Sequence, residues 1–121
     1  AQDIVDGAYN LLFISPTSAQ RTTGFTILND LIAYWVNISA LGLSEFTSLS
    51  DTFTFDDEYR KALKYNLAIE LAPTVNKVPS EFVILEAFKT KSEVFAANKP
   101  ATAEVEFDEM LYRRLGSDIN D

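Results

Sequence analysis

Residues 55–73 read Phe55-Asp56-Asp57-Glu58-Tyr59-Arg60-Lys61-Ala62-Leu63-Lys64-Tyr65-Asn66-Leu67-Ala68-Ile69-Glu70-Leu71-Ala72-Pro73. The stretch holds a helix start, a helix body and a helix stop. Asp56 suits an N-cap, because its carboxylate can accept free backbone N–H groups of the first turn. Asp57 and Glu58 follow where the positive end of the helix dipole favours anions. Arg60, Lys61 and Lys64 share one face, three and four residues apart. Tyr59, Ala62, Leu63 and Leu67 lie away from it, so the first turns are amphipathic. From Leu67 to Ala72 the helix is apolar nearly all round, interrupted by Glu70. Such an end is either buried between other helices or presented to a partner. Pro73 disfavours the α conformation at Ala72, and the helix is expected to stop there.

The remaining chain extends this pattern. Its 121 residues suit one domain, and at 47% hydrophobic it can build a core. Asp3 to Ile14 reads as a first helix with Ile4, Ala8, Leu11 and Leu12 on one side, broken at Ser15-Pro16-Thr17. Thr17 or Ser18 can cap a second helix, whose stripe is Phe25, Leu28, Ile32 and Trp35, widened by Leu31 and Val36. Trp35 reads as core, Gly24 weakens this helix, and Gly42 suits its end. In Thr52-Phe53-Thr54-Phe55 the side chains alternate with period two, which predicts an extended segment or small hairpin arm at about 44–55. Pro79 is placed as the first residue of a fourth helix, with Val83, Ile84, Ala87, Phe88, Val94 and Phe95 on its apolar side and an end near Asn98. The expected fold is mainly α: a four-helix bundle over residues 1–98, with a short extended or β-hairpin arm between helices 2 and 3. Residues 99–121 are expected to form an extended C-terminal tail.

Charge and missing residue types narrow the function. Net charge is −8, and there is no Lys or Arg between Thr22 and Tyr59. An acidic chain is a poor wrapper of phosphate backbones. Without cysteine or histidine there is no disulfide framework, no thiolate chemistry, and no Ser-His or Cys-His pair. No apolar run approaches the roughly 18 residues that span a bilayer, and the start lacks the basic region of a signal peptide. The expectation is a cytoplasmic product with no membrane contact.

No constellation points to catalysis, a cofactor or a metal. Asp56-Asp57-Glu58 is the densest acidic cluster, but adjacent helical residues diverge, so helix capping explains it better than a site. The four glycines are scattered and form no phosphate loop. Asn66, near the apolar side of its helix, needs partners if buried, either on a neighbouring helix or on another subunit. With Ile69 and Glu70 it is a candidate for a subunit interface. The tail is the strongest binding element by position. It either folds back over the bundle or reaches out, with Val105 and Phe107 adding a strand to a partner edge. Met110, Leu111, Tyr112 and Leu115, beside Arg113 and Arg114, would then fill a hydrophobic groove.

The strings Asp57-Glu58-Tyr59, Ala62-Leu63-Lys64-Tyr65-Asn66-Leu67-Ala68 and Leu71-Ala72-Pro73 resemble a hallmark of tailed-bacteriophage head-completion proteins, the adaptors or head-to-tail connectors of the neck. Leu28-Asn29-Asp30-Leu31 with Trp35, Gly42-Leu43, Thr52-Phe53-Thr54-Phe55 and Pro79-Ser80 resemble other parts of that family, so the likeness covers about residues 4–97. It implies a non-enzymatic virion protein, made in the host cytoplasm and placed at the head–tail junction. It implies a ring of copies, usually about twelve, beneath the portal protein. It also implies that the C-terminal segment grips the portal through Val105, Phe107, Met110, Leu111, Tyr112, Arg113, Arg114 and Leu115. The ring would extend the DNA channel, pass packaged DNA without specific binding, and meet a downstream neck or tail protein. A like-charged lumen repels phosphates, so the cation-free stretch, with Glu45 and Asp51, is expected to face the channel. Two other classes stand beside this reading. One is a small carboxylate-dependent cell-wall hydrolase, which needs two carboxylates across a cleft. The other is a regulatory helical interaction domain.

Overall fold

Helix α1 spans Gln2–Leu11, α2 Ser18–Ser39, α3 Asp57–Leu71 and α4 Glu81–Ala97, with a 3-10 helix at Ala72–Val75. The computed structural model describes residues 1–39, 43–54 and 56–97. The mainly helical four-helix architecture agrees with the sequence reading. Gly42, Phe55 and the tail from 99 to 121 lie outside the described residues.

The central element is α3, which packs against α1, α2 and α4. Ala62, Leu63, Leu67, Ala68 and Leu71 are completely buried, and Tyr65 and Ala72 nearly so. The apolar last turns are therefore buried between helices. Truncating one of these leucines would cost about 2–5 kcal/mol, through lost transfer energy and the cavity left behind. Trp35 on α2 is 1% exposed and meets Phe95 of α4 edge-on, with ring centroids 5.4 Å apart. It is core, as its stripe predicts.

Several boundaries differ from expectation. Asp56 precedes α3, but its side chain makes no capping hydrogen bond; its backbone carbonyl accepts Tyr59 N–H and Arg60 N–H. The exposed carboxylate stays in water, where it is already well solvated. Pro73 does not push Ala72 out of the α region, where φ is −52° and ψ −46°. The proline enters the 3-10 helix near its start, where its missing N–H leaves few bonds unmade. The chain is stopped by Asn76 in the left-handed conformation, with Lys77 N–H on the Ala72 carbonyl at 3.0 Å. Pro79 is not the first residue of α4. Ser80 precedes the helix, and its Oγ accepts Val83 N–H at 3.2 Å.

The start of α2 is a reciprocal cap. Thr17 Oγ1 accepts Gln20 N–H at 3.2 Å, and Gln20 Oε1 accepts Thr17 N–H at 2.9 Å. Thr17 is thus chosen over Ser18. Further along, Gly24 lets α1 approach: a Cβ there would lie 2.7 Å from Val5 Cγ1 and 3.1 Å from the Tyr9 ring. Tyr9 donates its hydroxyl to the Gln20 carbonyl at 2.7 Å, and Arg21 makes a forked contact to Asp6 at 2.9 and 3.3 Å.

The segment between α2 and α3 contains no strand among its described residues. Its backbone groups find other partners. Asn29 donates to the Phe46 carbonyl and accepts Phe46 N–H, both at 2.9 Å, much as a neighbouring strand would. Gln2 N–H donates to the Leu49 carbonyl, and Ala1 N donates to that of Asp51. Leu43 and Phe53 are buried at the two ends. Alternation survives in part: Phe53 points in while Thr52 and Thr54 are exposed. Of the two expected forms, extended segment or hairpin arm, the described residues show no hairpin, and the backbone groups of Phe46, Leu49 and Asp51 bond instead to Asn29 and to the start of the chain.

Two substitutions test this account. Gly24→Ala drives a methyl into the fully buried Val5 and is expected to cost about 1–3 kcal/mol in chemical denaturation. Phe13 ends α1 with φ 61° and is 90% exposed. Phe13→Gly is expected to stabilise by about 1 kcal/mol, by relieving the left-handed conformation without loss of packing.

Candidate functional site

The sequence reading places Ile84 and Phe88 on the packed side of α4, and here the structure disagrees. The buried line of α4 is Val83, Ala87, Thr90 and Val94. Thr90 fits there because its hydroxyl donates to the Glu86 carbonyl at 2.6 Å. Ile84 is 47% and Phe88 74% exposed, and Phe82 and Leu85 are each 61% exposed. Four consecutive apolar residues, Phe82 to Leu85, cannot all face one neighbour at 100° per residue. That run was the available signal for an open face.

Beside this face lies a groove of about 490 Å³ between α3, the 3-10 helix and α4. Its apolar lining includes Ile69, Ala72, Pro73, Val78, Ile84 and Phe88. Val78, in the linker, is 91% exposed. The polar groups of the groove are Asn66, Lys77 and Lys91, with no carboxylate among its described lining. It can bury apolar groups and pair with anions.

Asn66 resolves the two partnerships left open by its sequence position. Its Nδ2 donates to the Ala62 carbonyl at 2.8 Å and to the Ala87 carbonyl at 2.9 Å, so it bonds α3 to α4. Its partners are intrachain, while the residue also lines the groove. Ile69 joins it there. Glu70 does not: it is exposed on another side, in a hollow of about 300 Å³ with Ile27, Asp30, Leu31 and Tyr34. The three interface candidates therefore occupy two faces. Among the described residues Lys61 also pairs with Glu86 at 3.4 Å and Arg60 with Asp3 at 3.6 Å, and the Arg60 guanidinium sits 5.7 Å from the Phe53 ring centroid. Such half-exposed pairs are worth little individually.

Glu45 and Asp51 are brought together around a hollow of about 360 Å³ in the segment after α2. Glu45 is exposed. Asp51 is turned toward its own loop. Its carboxylate accepts the Thr47 hydroxyl and Thr47 N–H, both at 2.7 Å, Ser48 N–H at 3.1 Å and the Ser48 hydroxyl at 3.0 Å. Asp56, Asp57 and Glu58 are all exposed. Among the described residues no three acidic side chains gather to hold a metal ion, and no helix is long and apolar enough to cross a membrane. The tail candidates Val105, Phe107, Met110, Leu111, Tyr112, Arg113, Arg114 and Leu115 lie outside the described residues.

The Thr47 hydroxyl, followed by the N–H groups of Thr47 and Ser48 and the Ser48 hydroxyl, lowers the Asp51 pKa from 3.8 to about 2. With the folded value depressed, the carboxylate's contribution is complete above the unfolded value and is lost as pH falls toward the folded one. Amide signals of Thr47 and Ser48, followed by NMR, are expected to titrate with a midpoint near 2 and to lose that step in Asp51→Asn. A midpoint at the ordinary Asp value would refute the loop bonding. Comparison with protein-family models, curated proteins and solved structures gave no match to this chain.

Proposed function

We propose that the protein is a structural adaptor of a tailed-phage virion, forming a ring beneath the portal protein. The ring completes the head, extends the DNA channel and joins head to tail. The observation that carries this reading is the α3 segment. The residues that resemble the connector hallmark build the helix on which the other three pack, and they end at an open apolar groove.

The exposed side of α4 supports the reading. Phe82, Leu85 and Phe88 recur at helical spacing on a surface that a lone small bundle does not need. In a ring they would contact a neighbouring copy, and the tail would engage the portal. A net charge of −8 per copy suits a channel through which DNA slides without adhering.

Electron microscopy of the protein with and without the portal protein from the same genome tests the proposal. Rings are expected on the portal, whether or not the free protein forms them. Leu85→Asp is expected to abolish rings while shifting stability by no more than about 0.5 kcal/mol, because Leu85 is largely solvent-exposed. Absence of rings from the wild-type protein in both samples would overturn the adaptor reading.

A further inference from the structure

The groove between α3 and α4 has a chemistry that stands out in this chain. Acidic residues outnumber basic ones 18 to 10 over the whole sequence. Yet the groove's described lining carries Lys77 and Lys91 and no carboxylate. Neither lysine has a carboxylate partner among the described residues. The complementary sequence is close by. Glu104-Val105-Glu106-Phe107-Asp108 alternates acidic and apolar residues, and Glu109 then leads into Met110-Leu111. In extended backbone Val105 and Phe107 share one side while Glu104, Glu106 and Asp108 share the other.

Reach permits the match. Helix α4 ends at Ala97. Returning from Ala97 to the level of Phe88 and Ile84 takes about 14–20 Å along the helix axis. The eight residues from Ala97 to Val105 can span up to about 26 Å. Length therefore allows a single chain to lay its own tail back along α4.

We propose that, in the free protein, residues 104–111 occupy the α3–α4 groove of their own chain. Val105 and Phe107 sit against Ile69, Ile84 and Phe88, and the long side chains of Lys77 and Lys91 extend past the apolar lining to meet the carboxylates on the strand's other side. The tail then covers part of the apolar face until a partner takes it. If the adaptor reading holds, docking of the tail on the portal uncovers the groove, so ring contacts are exposed where the portal is present. That consequence rests on the adaptor reading, but the intramolecular contact does not.

The chain has no cysteine, so a single nitroxide can be attached cleanly to Ala103→Cys in the full-length protein. Amide signals are then compared with those of a diamagnetic control. Ile69, Ile84 and Phe88 are expected to lose most of their intensity, while Ile4 and Val5 in α1 keep theirs. The loss is expected to disappear in Val105→Ser/Phe107→Ser and in Lys77→Glu/Lys91→Glu, whose amide spectra also report whether the bundle has stayed folded. No loss at the groove in the wild-type sequence, or loss retained in the folded variants, overturns the proposal. A mixed sample pairs isotopically labelled chains without nitroxide with unlabelled chains that carry it. Broadening of the groove signals there would make the occupant a second copy's tail, and would equally overturn the proposal. These readouts need no portal. Rings without groove broadening would sink only the tail contact, and groove broadening without rings would sink only the adaptor reading.

Discussion

The rest of the structure depends on the burial of one helix from several sides. Helix α3 carries Ala62, Leu63, Leu67, Ala68 and Leu71 with no exposed surface, and these residues do not lie along a single stripe. One partner could not shield them, so α1, α2 and α4 must all close on α3. Small residues set how close they come. Ala62 and Ala68 on α3 and Ala87 on α4 keep the packed surfaces low, and Gly24 does the same between α2 and α1. A glycine that weakens the isolated helix is therefore required by the packing, where a methyl would meet Val5.

A second consequence concerns α4. It rests on α3 through Val83, Ala87, Thr90 and Val94, a narrow line at three- and four-residue steps. Its apolar content is wider than that line. Ile84 and Phe88 fall on one flank, Phe82 and Leu85 further round. The chain after α3 widens the opening, because the 3-10 helix and Asn76 turn it aside and leave Val78 in solvent. The groove is a by-product of how α3 is capped and how α4 is registered. Asn66 Nδ2 donates to both the Ala62 and the Ala87 carbonyls, a fork that ties α3 to α4 at that register.

Polar side chains do the work of a missing sheet in the segment after α2. A lone two-stranded hairpin is marginal in water. Here Asn29 pairs with both backbone groups of Phe46, and Asp51 gathers four donors from Thr47 and Ser48. The segment is tied to α1 and α2, and Arg60 of α3 lies over Phe53. The alternation in Thr52-Phe53-Thr54 was legible because period two marks which residue points inward. Its partner was not, since nothing local specifies that an asparagine 17 positions away from Phe46 would supply the bonds.

The sequence by itself determined the four helices and the inward stripe of α2 with Trp35, and it marked the last turns of α3 as apolar on several sides. These depend on hydrophobic periodicity and composition, which act over a few turns. It also marked the ends, though not the bonds that make them. Only the tertiary structure decided that Asp56 leaves its helix uncapped by its side chain, that Asn76 ends the turn after Pro73, and that Ser80 stands where Pro79 was expected. The same holds for Asn66 bonding within the chain and for Ile84 and Phe88 facing out. Each turns on the distance to a group remote in sequence, or on which of several apolar faces a neighbour happens to cover. A helix that is apolar on more than one side announces that it can be covered. Only packing settles which side is.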